Sequence, residues 1–254
     1  MAVGQRDGGT KSALTSRGFA RYSDRLFKWL LLVAGVSVLL VLAAMVFRTV
    51  LDSRPVFEHE GILGFFFGTE WQAGFSRSEF TGTYGAWPFI FGTLFTSAIA
   101  VVIALPLAIG ISLYINFYAP ARFRTALSYT VEVLAAIPSV IFGLWGLLWL
   151  VPNVLLPFSN AVNDLLGFLP FFGGTVPNVN YFHAGVVLAI MILPIITAIT
   201  REVMATTPAD EIDAAYGLGA TKSEVLRLVV MPRSFAGIVG ATMLGLGRAL
   251  GETI

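Results

Sequence analysis

Hydrophobic positions along this chain fall in long unbroken runs, not at the intervals of a half-buried helix or strand. Five runs are long enough to consider as membrane helices. They cover residues 29–47, 89–118, 133–151 (with an extension toward Leu156), 183–200 and 235–254. A hydrocarbon core about 30 Å thick takes about 20 helical residues. Backbone groups in lipid must be satisfied internally, and these Leu-, Ala- and Gly-rich runs lack the alternation of a barrel. The pattern predicts an all-α polytopic membrane protein with five visible spans.

The segments between the runs differ in character. Residues 1–28 form a basic leader, polar and Gly/Ser/Thr-rich in its first part and expected to be disordered. The run that follows has 19 uncharged residues, more than the 7–15 of a signal-peptide core, so it reads as a first transmembrane helix. Residues 48–88 mix aromatics (Phe65, Phe66, Phe67, Trp71, Phe75, Phe80, Tyr84, Trp87) with acids, a composition suited to interfacial packing. Residues 155–181 are apolar with several Pro and Gly, and are expected to fold back against the outer face. The chain stops inside its fifth run, just beyond Arg248, which predicts a further span after Ile254.

Composition agrees with a membrane class. Hydrophobic residues are 56% and charged residues 12%, against about 25% charged in soluble domains. A net charge of +1 gives no case for nucleic acid. With no cysteine and only His59 and His183, nothing points to a disulfide, a metal site or a cofactor.

Charge sets orientation. The leader carries Arg6, Lys11, Arg17, Arg21, Arg25 and Lys28. The next loop has Arg48, Arg54 and Arg77 against five acids, the turn after the second run has Arg122 and Arg124, and residues 152–182 have none. The loop over 201–233 has Arg201, Lys222, Arg227 and Arg233. Positive residues stay inside, so the N-terminus and the 201–233 loop are expected to be cytoplasmic.

That loop is a polar insert between two apolar runs. Thr207, Pro208, Asp210 and Glu211 read as a helix start, with Thr207 as cap and Pro208 in the first turn. Gly217 and Gly219 permit a sharp break. Thr221 with Glu224 three residues on has capping-box spacing, Val225, Leu226, Val229 and Val230 form an apolar side, and Pro232 is expected to stop this second helix. Two short helices across a glycine turn would make a rigid knob, or a helical hairpin lying on the membrane.

Chemistry inside the membrane is sparse. Pro106, Pro138 and Pro194 each remove a backbone donor from a span and allow a kink. Glu132 is placed at the cytoplasmic edge of the third span, where a helix dipole favours an acid. Arg248 falls roughly 20 Å into the fifth span, where a charge costs several kcal/mol unless paired or hydrated. Glu252 lies four residues on and can pair with it. Gly247 and Gly251 leave the neighbouring face smooth for another helix. The pair reads either as packing or as part of a pathway, since Arg suits a tetrahedral oxyanion.

Asp213, Ala214, Ala215, Gly219, Val229, Met231 and Pro232 carry the spacing of the EAA loop, and the chain resembles the ABC-importer permeases that bear it, with Asp213 where that family usually has Glu. The runs Glu132–Leu147, Ile192–Thr197 with Arg201–Val203, and Gly247–Thr253 are similar to phosphate-specific permeases of the PstC type rather than the PstA type. The resemblance extends over residues 87–254 and implies a six-helix MetI-like fold. It implies partners too: a homologous PstA-type permease, a cytoplasmic ATPase dimer, an external phosphate-binding protein, inorganic phosphate as cargo, and membrane lipid. Residues from Ala214 to Glu224 would meet the ATPase, so Asp213, Ala214, Ala215, Gly217, Gly219, Ala220, Thr221 and Glu224 are the expected coupling residues. Arg248, Glu252, Glu132 and Ser139 are the expected substrate-pathway residues. The chain has no Gly-xxxx-Gly-Lys-Ser/Thr loop, so ATP hydrolysis is expected in a separate subunit. Another oxyanion such as sulfate or molybdate fits the same permease, and an ion-driven secondary transporter is the alternative from another class.

Overall fold

The computed structural model describes residues 17–72, 82–168 and 175–252. The chain divides into two compact units, residues 1–87 and 88–254. Among the described residues, five helical stretches are long and apolar enough to cross a membrane: Asp24–Asp52, Trp87–Tyr118, Ser139–Leu166, Tyr181–Ala205 and Lys222–Leu250.

In the first unit, α1 (Arg17–Asp52) extends well ahead of the apolar run. Nothing between Ala20 and Trp29 breaks a helix once the apolar turns have nucleated it, so it propagates backward. The stretch from Arg17 to Lys28 is therefore helical, not disordered; residues 1–16 lie outside the described residues. The side chains from Asp24 to Val50 are exposed, as suits a helix faced by lipid. The segment expected as an outer loop is itself built: α2 (Arg54–Phe67) is interrupted at Gly61, whose φ of 71° few other residues adopt. A short antiparallel pair follows, β1 (Trp71–Gln72) and β2 (Thr83–Tyr84), with Trp71 opposite Tyr84 and their rings edge to face at 5.5 Å. Phe75, Arg77 and Phe80 lie outside the described residues.

In the second unit, α3 (Trp87–Leu113) ends in a π-helical turn, Tyr114–Tyr118. Next comes α4 (Ala121–Ala136), then a break. The third span does not begin at Val133. Pro138 pushes Ile137 into extended backbone (ψ 131°), so one continuous apolar run becomes two helices. Pro138 is thus a boundary and not a kink, whereas Pro106 and Pro194 do lie inside helices. From α5 (Ser139–Trp145) the chain continues through a wide-turn stretch, Gly146–Leu155, into α6 (Leu156–Leu166). Helix therefore persists where a loop was expected. It passes Pro152 in π geometry, which relaxes the turn, and the Asn153 side-chain amide donates to the Trp149 carbonyl at 2.8 Å.

The centre of this unit is α7 (Tyr181–Ala205), opened by an Asn180 cap that accepts from the His183 backbone N–H. Ala100, Ala104 and Ala108 of α3 pack with Leu188, Ile192 and Ile196 of α7. After α7 come α8 (Ala209–Gly217) and α9 (Lys222–Val225). A third π stretch, Leu226–Val230, then leads straight into α10 (Met231–Leu250). Pro232 does not stop a helix. It sits in the first turn of α10, and the wider turn just ahead relieves the clash its ring would make with the preceding turn.

Small residues set the α7–α10 approach. A Cβ at Gly237 would meet the Val203 side chain, and one at Gly245 would meet Ile196. Ala241 and Ala249 continue the same four-residue spacing and are buried. Among the described residues Gly247 has nothing within 4 Å and Gly251 meets only α10's own carbonyls, so the stripe against α7 is at 237, 241, 245 and 249. Gly245→Leu should destabilise the folded protein by about 1–3 kcal/mol. Thermal unfolding of the detergent-solubilised protein measures this, with Gly247→Leu as a matched control of little effect. Equal losses would refute the assignment of the stripe.

Candidate functional site

The knob forms as two short helices across a glycine turn, and its local chemistry explains why. Asp210 and Glu211 lie in the first turn of α8, where the exposed N–H groups favour acids. Thr207 does not cap this helix. Pro208 occupies the cap position, and the Thr207 hydroxyl is buried with no hydrogen-bond partner among the described residues. At the other end, the Gly219 N–H donates to the Tyr216 carbonyl and the Ala220 N–H to the Ala215 carbonyl. With Gly219 at φ 85°, this is the double closure of a Schellman turn. Thr221 and Glu224 form the capping box: the Thr221 N–H and hydroxyl donate to Glu224 Oε2 at 2.8 and 2.7 Å, and the Glu224 N–H donates back to the hydroxyl.

Burial divides the knob into a root and a tip. Val225, Leu226 and Val230 are buried against the second unit, where Leu226 and Val230 pack with Met204 and Ile238. Asp213, Ala214, Gly217, Gly219, Thr221 and Glu224 are exposed, and Ala215 and Ala220 are half-buried. Leu218, between the two glycines, is 90% exposed. The tip therefore presents a leucine and small residues on a backbone fixed from both sides.

Behind the knob, polar contacts converge on the end of α3. Lys222 Nζ donates to the Phe117 carbonyl and lies 4.1 Å from the Tyr118 ring centroid. The Asn116 side-chain amide donates to the Arg201 carbonyl at 2.7 Å, and the Ser112 hydroxyl to the Thr197 carbonyl at 3.1 Å. Arg201 Nη2 donates to Glu132 Oε1 at 2.9 Å. Glu132 thus sits on α4, ahead of the span that starts at Ser139, and joins that helix to the end of α7.

A cavity of about 450 Å³ lies between α5 and α7, lined mainly by apolar side chains together with Ser139, Asn178, Asn180, His183 and Glu252. A second, of about 680 Å³, shares Asn180 and Glu252 and adds Thr93, Thr96 and Tyr181. Two of the expected pathway residues, Ser139 and Glu252, therefore meet at one cavity. Arg248 does not line it. The expected Arg248–Glu252 pair is also absent: α10 ends at Leu250, so Glu252 leaves the helical register that would place it over Arg248. Arg248 is half-buried, with no ion pair within 4.0 Å among the described residues.

His183, which the sequence offered only as one of two histidines, is buried at the cavity wall. Its Nδ1 is 2.9 Å from the Asn178 carbonyl, which can only accept, and this contact assigns the proton to Nδ1 over the longer 3.3 Å approach of the Asn180 amide nitrogen. Nε2 then accepts from the Ser159 hydroxyl at 2.9 Å. This ties α6 and the segment before α7 to the α7 start. An Asn immediately ahead of an apolar run was the sequence signal for it.

Residues 106–254 match the family model described as binding-protein-dependent transport system inner membrane component. The chain belongs to this family. It is a multi-pass protein of the bacterial inner membrane and a transport component. It is 40% identical over 260 residues to the phosphate transport system permease protein PstC 2 of Mycobacterium tuberculosis, covering 96% of this chain and 76% of that one. It is likewise 40% identical over 235 residues to the PstC of Haemophilus influenzae, covering 91% and 72%. A solved chain of the MetNI methionine ABC transporter in inward facing conformations aligns at a TM-score of 0.45 with 24% identity, covering 66% of this chain and 68% of that one.

Proposed function

We propose that this chain is a permease subunit of an ATP-driven phosphate importer, forming half of a translocation pathway and receiving work from a cytoplasmic ATPase. The observation that carries the coupling half is the knob. Its capping box, Schellman turn and buried root hold an apolar tip out from the membrane helices. A hairpin lying on lipid would turn such residues toward the membrane. The cargo is supported by the similarity to the two PstC permeases along most of the chain.

In this reading a homologous permease completes the pathway, two ATPase subunits receive the knobs, and an external binding protein delivers phosphate. The charge pattern supports a cytoplasmic N-terminus and a cytoplasmic knob. ATPase closure moves Ala214–Glu224, and the helices rooted behind it swing to open outward. Arg248 supplies a planar cation to a passing oxyanion. Ser139 and Glu252 line the adjoining cavity, where the carboxylate keeps anion contact transient. Glu132 acts through Arg201, holding α4 to α7.

The experiment is ATP-dependent uptake of labelled inorganic phosphate by the reconstituted four-component complex, with sulfate as competitor. Phosphate uptake unaffected by excess sulfate is the expected outcome. Competition by sulfate would favour a broader oxyanion importer, and uptake without ATP would defeat the reading.

A further inference from the structure

A helix C-terminus exposes carbonyls and favours a cation there, yet neither α3 nor its terminal π turn carries a basic residue in the last turn. Lys222 fills that role from 105 positions away: its ammonium caps the Phe117 carbonyl and rests on the Tyr118 ring. Lys222 is the first residue of α9, directly after the Thr221 cap, so its backbone is fixed by the same capping box that shapes the knob. Its side chain turns back to α3, away from the Leu218 tip.

The π turn Tyr114–Tyr118 is where two other elements, α7 and α4, also attach. Asn116 holds the Arg201 carbonyl of α7, and Arg201 in turn holds Glu132 of α4. A π turn is a local widening that often marks functional positions, and it lets a helix end rotate without breaking the helix behind it. Resting on the coupling reading above, we infer that Lys222 is the positioning residue that transmits movement of the knob to α3. The Tyr114–Tyr118 turn is then the junction that passes this movement on to α7 and α4.

The inference separates docking from transmission. In the reconstituted complex, Lys222→Met removes the cation and keeps the aliphatic stem. Phosphate transported per ATP hydrolysed should fall roughly three- to tenfold, while ATP turnover and photo-cross-linking from position 218 to the ATPase persist. Lys222→Arg, which keeps both the donor and the contact with the ring, should restore most of the ratio. Tyr118→Leu should lower it in the same direction, and decides the matter if Lys222→Met fails to assemble. An unchanged ratio in Lys222→Met or Tyr118→Leu would overturn the inference. So would a parallel loss of cross-linking and ATP turnover, which would make Lys222 a docking residue. Failure of the wild-type protein to cross-link at 218 would instead count against the coupling reading itself.

Discussion

Gly219→Leu should reduce ATP-driven phosphate uptake by at least about tenfold while the permease still reaches the membrane and assembles. Two costs act together. Gly219 has φ 85°, and a side chain in left-handed backbone costs about 1–2 kcal/mol. That is too little to unfold a helical membrane domain whose core lies elsewhere. A Cβ at this position meets nothing within 4 Å among the described residues, so the leucine has room in the isolated subunit. Its bulk is felt only where another protein closes over the tip. Each 1.4 kcal/mol lost from that contact is about a factor of ten. Gly219→Ala, with the strain and little of the bulk, should fall between. Normal uptake by Gly219→Leu would remove the knob from the coupling path.

Arg248→Gln should lower phosphate uptake by roughly ten- to a hundredfold with basal ATPase activity retained. A hydrogen bond to a charged group is worth about 1.5–3 kcal/mol, and glutamine keeps polarity but loses the charge and the fork of donors. The geometry sharpens this expectation. Among the described residues Arg248 has no carboxylate within 4.0 Å. It is therefore not explained as half of a structural pair, and an intramembrane cation without such a partner is a candidate for meeting an anion. If uptake is unaffected, Arg248 serves packing alone. Uptake and ATPase activity falling together would place its role in coupling.

How much of this was legible in the sequence follows from how local each interaction is. The capping box at Thr221 and Glu224 and the glycine corner at 219 involve neighbours a few residues apart, and residue types alone signal them. Spans were visible because lipid demands continuous apolar runs. The break at Pro138 was not, because residues on both sides are apolar and hydropathy does not register a change in ψ. The early end of α10 was hidden likewise. Arg248 and Glu252 have helical spacing, but the helix stops at Leu250, before it reaches the second of them.

Contacts between distant positions were out of reach. Arg201 and Glu132 are 69 residues apart, and Lys222 and Phe117 are 105 apart. In the charge count Arg201 and Lys222 only set orientation, and Glu132 read as an acid at a helix start. Folding gives Arg201, Glu132 and Lys222 specific partners behind the knob, which a count of loop charges does not contain. Thr207 shows the opposite limit. Its position is right for a cap by type, but Pro208 takes that place by geometry, and the hydroxyl turns inward.

Coupling requires the knob to seat in an ATPase, and a cross-link from its tip tests this. The chain contains no cysteine, so Leu218→Cys gives one thiol in this subunit for attaching a photo-cross-linker, at a side chain 90% exposed. In the assembled complex it should cross-link to the ATPase subunit in high yield. The same probe at Leu165 on α6, which is 75% exposed, should not. A cross-link from 218 to lipid, or equal yields from 218 and 165, would contradict the claim that this loop receives the work of ATP hydrolysis.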